Sequence, residues 1–425
     1  MKDIAEKSLF DIPGGWKTLL WILVLLGIGM FIAGLMTGGE ESVVRTWQAF
    51  LINTVFWGGI AHAGVLFAVI WQLTDAKWGR AFKRLAEACA GFLPISFLMF
   101  VVVFFGSHVL YEWTHTPFLH HGEAVKQGWL NLPFFISRNV FWLLLIYGIS
   151  YWFVKTSIKP DIALARRLIG SDWGGKFADW VLEDYGEHET EVIRLEKLSR
   201  KIAPVLAFVY SIGGSFLAWD FVMTLDQTWF STLFGVFVMI GNMHAFLGLM
   251  LVVAVTVRQK FGIEEYISIN RLHDLAKMTF AFSLLWTYMG YSQYIVIWYA
   301  DLPEETPYLI IRSMNAPWNT LFLVIILWVF VSVFLGLLPR TLCRIPNYIR
   351  LMGIWVMLGQ LLSVYIMVVP SLQHDGHYHI FMGMHELLIT LGFVGAFFLC
   401  YLAFLGKLPI LPISDKHLCR TWHGH

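Results

Sequence analysis

The sequence predicts an all-α integral membrane protein of ten transmembrane helices, with two four-helix bundles (spans two to five and six to nine) flanked by spans one and ten. Three observations lead there. Apolar residues make up 58% of the chain and charged residues only 14%, and the mean hydropathy is +0.66, a composition that excludes an ordinary water-soluble domain. Ten apolar stretches reach the roughly 20 residues needed to cross about 30 Å of hydrocarbon. Basic residues collect on one side of those stretches. With no water in the lipid core to satisfy free backbone groups, spans of this length must be helices.

The spans run over 17–37, 47–73, 88–111, 133–154, 202–225, 230–257, 275–300, 317–338, 350–370 and 381–405. The first is too long for a signal-peptide core and lacks a small-residue cleavage site, so it is expected to remain as a helix. Of the thirty Lys and Arg residues, only Arg45, Lys126, Arg138 and Arg312 fall on the loops of one side. Positive charge is retained on the cytoplasmic side, which puts both termini in the cytoplasm and supports an even number of spans. The net charge of +1 hides this asymmetry and gives no reason to expect nucleic acid; the basic loops need no partner beyond anionic lipid.

The same reading divides the chain. Residues 1–46 form the cytoplasmic N-terminus and first span, and 47–154 the first three helices of the first bundle. Residues 155–201 are a charged segment with loose helical periodicity, read as an amphipathic cytoplasmic linker. Span five, within 202–229, completes the first bundle, 230–370 forms the second, and 371–425 holds a His-rich outer loop, span ten and a cytoplasmic tail. Cys89, Cys343, Cys400 and Cys419 map to the cytoplasmic half, where thiols stay reduced. No Cys-x-x-Cys pair occurs, so neither an iron–sulfur ligand set nor a covalent c-type haem is expected, and redox metals are assigned to other subunits.

A faint parallel repeat underlies the two bundles. Span two holds Gly59, His62 and Ala63, and span six holds Gly241, His244 and Ala245 in the same spacing. On the cytoplasmic side Arg84 and Glu87 match Arg271 and Asp274. Membrane folds often arise by such duplication.

The most informative stretch is Tyr291, Ser292, Gln293, Tyr294, Trp298 and Tyr299, followed by Asp301, Pro303, Glu304, Glu305 and Thr306. Phenols, indoles and three carboxylates crowd one membrane helix, where polar groups tend to mark pathways for protons, ions or redox substrates. A second block runs through Trp219, Asp220, Met223, Leu225, Asp226, Trp229, Phe230, Ser231 and Thr232. With the ten-helix plan and the doubled bundle, these blocks resemble the NrfD-type membrane subunits related to the polysulfide reductase anchor, and within that group the ActF type, or its ActC sister type, of alternative complex III. The resemblance is specific over spans five to eight and weak over spans one to four.

That resemblance implies a multi-pass protein of the bacterial cytoplasmic membrane, in a quinol to cytochrome c (or cupredoxin) oxidoreductase. It implies a non-catalytic or quinone-interacting subunit that contributes a proton pathway, with quinol or menaquinone near the outer face as a further expectation. The implied partners are an ActC-like membrane subunit, an iron–sulfur and molybdopterin-like subunit and c-type haem subunits, with haem and iron–sulfur clusters held only by them.

Individual residues are weighed against plainer roles. Asp220, about 7 to 8 Å inside the end of span five, suits a proton carrier if unpaired; otherwise it is a carboxylate pinned to a neighbouring helix. Asp226 is the wetter companion. His385 and Glu386 form a titratable pair at the start of span ten, or a membrane-entry cap. The loop from His374 to His379 is read as solvated or partner-facing rather than as a metal site. His62 and His244 are relays, quinone contacts or neutral buried histidines; the duplication, one mid-depth His per bundle, argues against a shared b-type haem. His273, Asp274 and Lys277 offer a cytoplasmic entry, continuing through Tyr288, Tyr291 and Tyr294, while Asp301, Glu304 and Glu305 with Arg312 offer an outer exit or docking rim. His108, Glu112 and Arg138 form the quinone candidate, joined by His62, since quinol oxidation needs a base beside an apolar mouth. A secondary transporter or ion channel, and a purely structural anchor, are the competing readings.

Overall fold

Apolar runs of this length fold into long helices, and a computed structural model of the chain shows them. It describes residues 2, 6, 10–37, 39–116, 119, 120, 123, 124, 126–373 and 379–415. The long helices are α1 (Gly14–Thr37), α2 (Glu40–Leu73), α3 (Lys77–Phe105), α4 (Leu132–Ile169), α5 (His188–Phe221), α6 (Phe234–Phe261), α7 (Ile269–Ala300), α8 (Trp318–Leu337), α9 (Pro346–Val368) and α10 (Met384–Leu405). The described residues are otherwise loops and short helices, apart from a two-residue antiparallel ladder pairing Leu119 with Ala124 and His120 with Glu123.

Among the described residues nine helices are long and apolar enough to cross a membrane. The predicted seventh span is the exception. As α7 it is a helix of 32 residues, long enough to cross, but the Tyr, Thr, Ser and Gln residues of its second half keep its apolarity below the other nine.

Local chemistry sets the helix ends. The Asn131 side chain accepts from the Phe134 amide at 3.0 Å to open α4, and Ser268 opens α7 in the same manner. Gly262, at φ 62°, closes α6 in the left-handed region, where a Cβ is strained. Several long helices run past the expected spans, α3 from Lys77 instead of 88 and α4 and α5 at their facing ends. Residues 155–169 continue α4 and 188–201 begin α5, with the short helix Gly175–Val181 between them, so the charged segment 155–201 is the tip of a helical hairpin.

Contacts at the helix ends show how the rods alternate. Arg45 of α2 meets Glu386 of α10, Arg138 of α4 meets Asp220 of α5, and Trp229 before α6 meets Tyr308 after α7; these define a distal face. Phe10 meets Phe261, Tyr401 bonds Leu85, and Asp161 bonds Ser414; these define the proximal face. Between the faces, α2 packs on α3 and α5, α4 on α5, α6 on α7 and α9, and α2 and α6 pack on each other. Helix α1 lies along α10, where a Cβ on Gly27 would stand 2.5 Å from the Gly392 Cα. Small residues permit that approach, as helix pairs in lipid require. The centre of the molecule is α2: its apolar window is 94% buried, against 17% for α1.

Candidate functional site

The repeated glycine and histidine sit where the central helices cross. A Cβ on Gly59 would lie 2.3 Å from the Asn242 side chain, so this glycine lets α6 approach α2 one turn before His62. His62 is buried, with its ring 4.9 Å from Tyr147 and 5.8 Å from Tyr210. It lines a cavity of about 40 Å³ with Asn242 and Tyr210, room for water by the usual threshold of roughly 15 Å³. His244 is fully buried, and Gln360 of α9 meets its Nδ1 at 2.8 Å. With the amide donating, Nε2 carries the hydrogen. The two imidazoles thus face different neighbours, Tyr147 and Tyr210 for His62 and Gln360 for His244.

A larger cavity, about 430 Å³, opens at the distal face between α2, α9 and α10, within the roughly 300–1,000 Å³ typical of small-molecule sites. Its mouth is held by an ion pair: Arg45 donates from Nε and from the terminal nitrogen to Glu386 Oε1 at 2.8 and 2.7 Å. The other Glu386 oxygen accepts from the Gly383 amide at 2.9 Å, and Arg45 lies 4.5 Å over the Phe381 ring. About 12 Å deeper along α2, Asn53 lines the cavity and donates to the Ala49 carbonyl and to Thr390 Oγ1 at 2.8 and 2.9 Å. Its Oδ1 is buried and has no partner among the described residues. Leu361, Leu362 and Leu387 supply apolar wall. Next to the mouth, Thr46 donates to the Ser42 carbonyl, which leaves its oxygen to accept from His385 Nε2 at 2.8 Å.

At the proximal face Arg84 is buried in a carboxylate cluster. It pairs with Glu87, donates to Asp161 Oδ2 at 2.6 Å and to the Ser157 carbonyl at 2.8 Å, while Asp161 Oδ1 accepts from the Ser414 amide at 2.8 Å. Glu87 Oε1 is buried without a partner among the described residues. Asn53 Oδ1, His62 Nε2 and Glu87 Oε1 therefore form a series of unsatisfied polar atoms at three depths on and beside α2. Buried groups of this kind are usually met by ordered water or a ligand.

Other candidates are arranged differently from expectation. Asp220 is not unpaired: it is fully buried and accepts from Arg138 Nε and a terminal nitrogen at 2.7 and 2.8 Å and from Asn139 at 2.8 Å. A bidentate guanidinium pair of this kind adds geometric specificity as well as energy. Arg138 is committed to Asp220 and to the Trp129 carbonyl at 3.2 Å, whereas His108 and Glu112 are exposed. Tyr288 and Tyr291 are 62% and 59% exposed, and Tyr294 is also exposed; the inward face of α7 instead carries Thr279, Ser283 and Gln293. The phenols thus lie outside the helical core because their turn of α7 points outward.

Arg312 does not join Asp301, Glu304 and Glu305. It is buried and donates to the carbonyls of Tyr308, Ile366 and Met367 at 2.9, 3.0 and 3.2 Å and to Ser371 Oγ at 2.6 Å, while Asp301 and Glu304 are exposed. Burial pushes the pKa of Arg312 down, opposed by Tyr308 and Asp226, and pushes the Tyr308 phenol up. Asp226 caps its own turn, accepting from the Thr228 amide and hydroxyl at 3.0 and 2.6 Å. Burial lowers the pKa of Lys126, and nearby Asp226 and Glu304 counter it. On the proximal side Asp274 and Lys277 pair at 2.6 Å beside His273. Residues 374–378 of the His-rich loop, and Cys419, lie outside the described residues.

The two sequence blocks meet at the distal face through residues 62 positions apart along the chain. Ser231 Oγ donates to Gln293 Oε1 at 3.1 Å, and Trp229 stacks on Tyr308 at 3.7 Å with ring planes 6° apart. Arg312 covers the other side of that stack, 3.5 Å from the Tyr308 ring centre. Scanned against protein-family models the chain matches none, and a search of curated proteins finds no match. Sequence reasoning missed Arg45 as a partner of Glu386, Gln48, Asn53 and Thr390 as lining of the distal cavity, and Arg84, Glu87 and Asp161 as a buried proximal cluster. The available signal was the polar residues Gln48, Asn53 and Thr54 inside the apolar run of span two.

Proposed function

We propose that this chain is a ten-span, NrfD-type membrane subunit of a quinol-oxidising complex of the alternative complex III kind, with both termini cytoplasmic and α2–α5 and α6–α9 as its two bundles. In this reading the proximal face is cytoplasmic. The subunit takes a quinol head group in the cavity between α2, α9 and α10 and passes protons along the α2 series. The observation that carries the reading is that cavity, with Asn53, whose buried amide oxygen has no partner among the described residues, at its floor, an Arg45–Glu386 pair at its mouth and apolar wall between. Quinol oxidation releases two protons and two electrons; a hydroxyl donating to Asn53 and a carboxylate within the same chamber suit the proton side of that chemistry. The electrons pass to a partner subunit. The meeting of the two resemblance-bearing blocks through Ser231–Gln293, beside the Trp229–Tyr308 stack, is consistent with the family reading.

The test is made on the assembled complex in proteoliposomes. Asn53→Leu removes the free acceptor, and quinol affinity is expected to fall roughly tenfold, the weight of about one buried hydrogen bond. Glu386→Gln keeps the volume and the Gly383 contact and is expected to slow proton release more than binding. If both variants assemble and retain the parent rate and proton yield, the cavity is not the quinol site.

A further inference from the structure

A second cleft lies at the proximal end of the α4–α5 hairpin, away from the groups discussed so far. Its volume is about 630 Å³, and it is lined by Trp152, Lys155, Thr156 and Lys159 of α4 and by Arg194, Lys197 and Lys201, with Leu195 and Leu198, of α5. The spacing explains why they meet. Residues 152, 155, 156 and 159 are related by one, three and four positions, and so are 194, 197, 198 and 201; each set forms a single helix face, and the two faces look at each other across the cleft. Five cations face one space with no carboxylate in the lining. Arg194 alone of the five is ion-paired among the described residues, to Glu191 at 2.8 Å, and Lys155 lies 4.0 Å over the Trp180 ring. Glu196 is engaged with Arg200.

Like charges gathered this closely repel, and a cleft of this composition is stabilised by an anion. The same two helix faces change character toward the middle of the molecule. One to two turns on, α5 presents Val205 and Phe208, 51% and 67% exposed, and α4 presents the exposed Leu144 two turns above Trp152. A basic pocket that opens along two helices into an exposed apolar ramp matches an amphiphile with an anionic head and acyl tails. Basic pockets between spans at the membrane surface bind such head groups.

We propose that this cleft is a binding site for an anionic phospholipid bearing two phosphates, of the cardiolipin class, with Lys159, Lys197 and Lys201 on the phosphates, Trp152 at the glycerol level and the tails along Val205, Phe208 and Leu144. Five cations exceed what one monoanionic head group neutralises, which is the reason for choosing the two-phosphate class. The site lies on the hairpin and is independent of the quinol reading.

The experiment uses the full chain in nanodiscs of phosphatidylcholine doped with cardiolipin or with phosphatidylglycerol, followed by native mass spectrometry of the retained lipid. Lys159→Gln with Lys201→Gln is compared with Lys176→Gln plus Lys260→Gln, which removes the same charge elsewhere. The cleft pair is expected to weaken cardiolipin retention about 25-fold, at about 5-fold per lysine, and the control pair to leave it within twofold of the parent. Equal retention by the cleft variant and the control overturns the site. Equal retention of phosphatidylglycerol and cardiolipin overturns the two-phosphate assignment, and displacement of the lipid by inorganic pyrophosphate at matched phosphate concentration overturns the lipid assignment.

Discussion

Replacing Asp220 by Asn tests whether this buried acid carries protons or holds helices. The carboxylate joins α5 to α4 through two bonds from Arg138 and one from Asn139, all at 2.7–2.8 Å, and it is fully buried. Arg138 in turn lies 3.9 Å over the Trp129 ring. Asn keeps the shape but loses the charge, leaving a buried guanidinium uncompensated, a loss of about 3–5 kcal/mol for such pairs. In population terms that is roughly a hundred- to a few thousand-fold in the folding constant. The joint change Arg138→Met with Asp220→Leu removes both charges, and such exchanges are close to neutral. Melting of the purified chain is followed with a dye that reacts with thiols on unfolding, since Cys89 and Cys343 are buried. The expected order is parent and joint variant together, with Asp220→Asn well below. If Asp220→Asn melts with the parent, or the joint variant is no better than the single one, the pair is not a structural clamp. If the joint variant melts normally in an assembled complex that has lost proton translocation, Asp220 is a carrier after all.

Three further outcomes follow from the packing. Gly392→Val drives a side chain into Gly27 of α1 and is expected to cost about 1–3 kcal/mol by overpacking, read as a lowered melting temperature, whereas Gly29→Val, with open space around its Cα, leaves melting unchanged; equal effects would contradict the α1–α10 contact. The triple change Tyr288→Phe, Tyr291→Phe and Tyr294→Phe is expected to leave proton translocation by the reconstituted complex at the parent level, because these phenols face outward; a clear loss places them on the route. Arg312→Met strands three carbonyls and Ser371 at about 1–3 kcal/mol for each group left unsatisfied, and Arg312→Lys restores only part of the melting loss because an ammonium cannot reproduce the planar fork. Full rescue by Lys would refute that account.

How much of this was legible in the sequence depended on which physical signal each feature leaves. Long apolar runs specify helices because the lipid core tolerates little else, so each predicted span falls on a long helix, while the charged extensions of α3, α4 and α5 beyond the apolar runs were not legible. The aromatic content of α7 blurred its status, since Tyr and Trp belong equally to a membrane interface and to a protein surface. Rotational setting was the weaker part. Tyr288, Tyr291 and Tyr294 share a face by their spacing, but spacing does not say which way a face points; that is decided by Thr279, Ser283 and Trp286 packing inward. Pairing across distance was weaker still. Arg45 and Glu386 are 341 residues apart, and Arg138 reaches Asp220 across 82, so neither pair leaves a local pattern.

The burial of α2 shows why polar residues along a helix carry different weight in different places. On α1, largely open to its surroundings, a polar side chain turns outward and needs no further account. Helix α2 has no outward face along its apolar window, being enclosed by α3, α5, α6 and α10. Thr46, Gln48, Asn53, Thr54 and His62 are consequently committed to the interior. Thr54 satisfies its hydroxyl on the Phe50 carbonyl one turn back, a local bond that any threonine in a helix makes. Asn53 and His62 do not: each retains a buried atom that no described neighbour meets. Leaving such an atom bare costs about 1–3 kcal/mol, and an apolar residue at either position would remove that cost. Both sit on the most enclosed helix with a cavity beside each, where water or a ligand would meet them, and the proposed relay and quinol site draw on that placement.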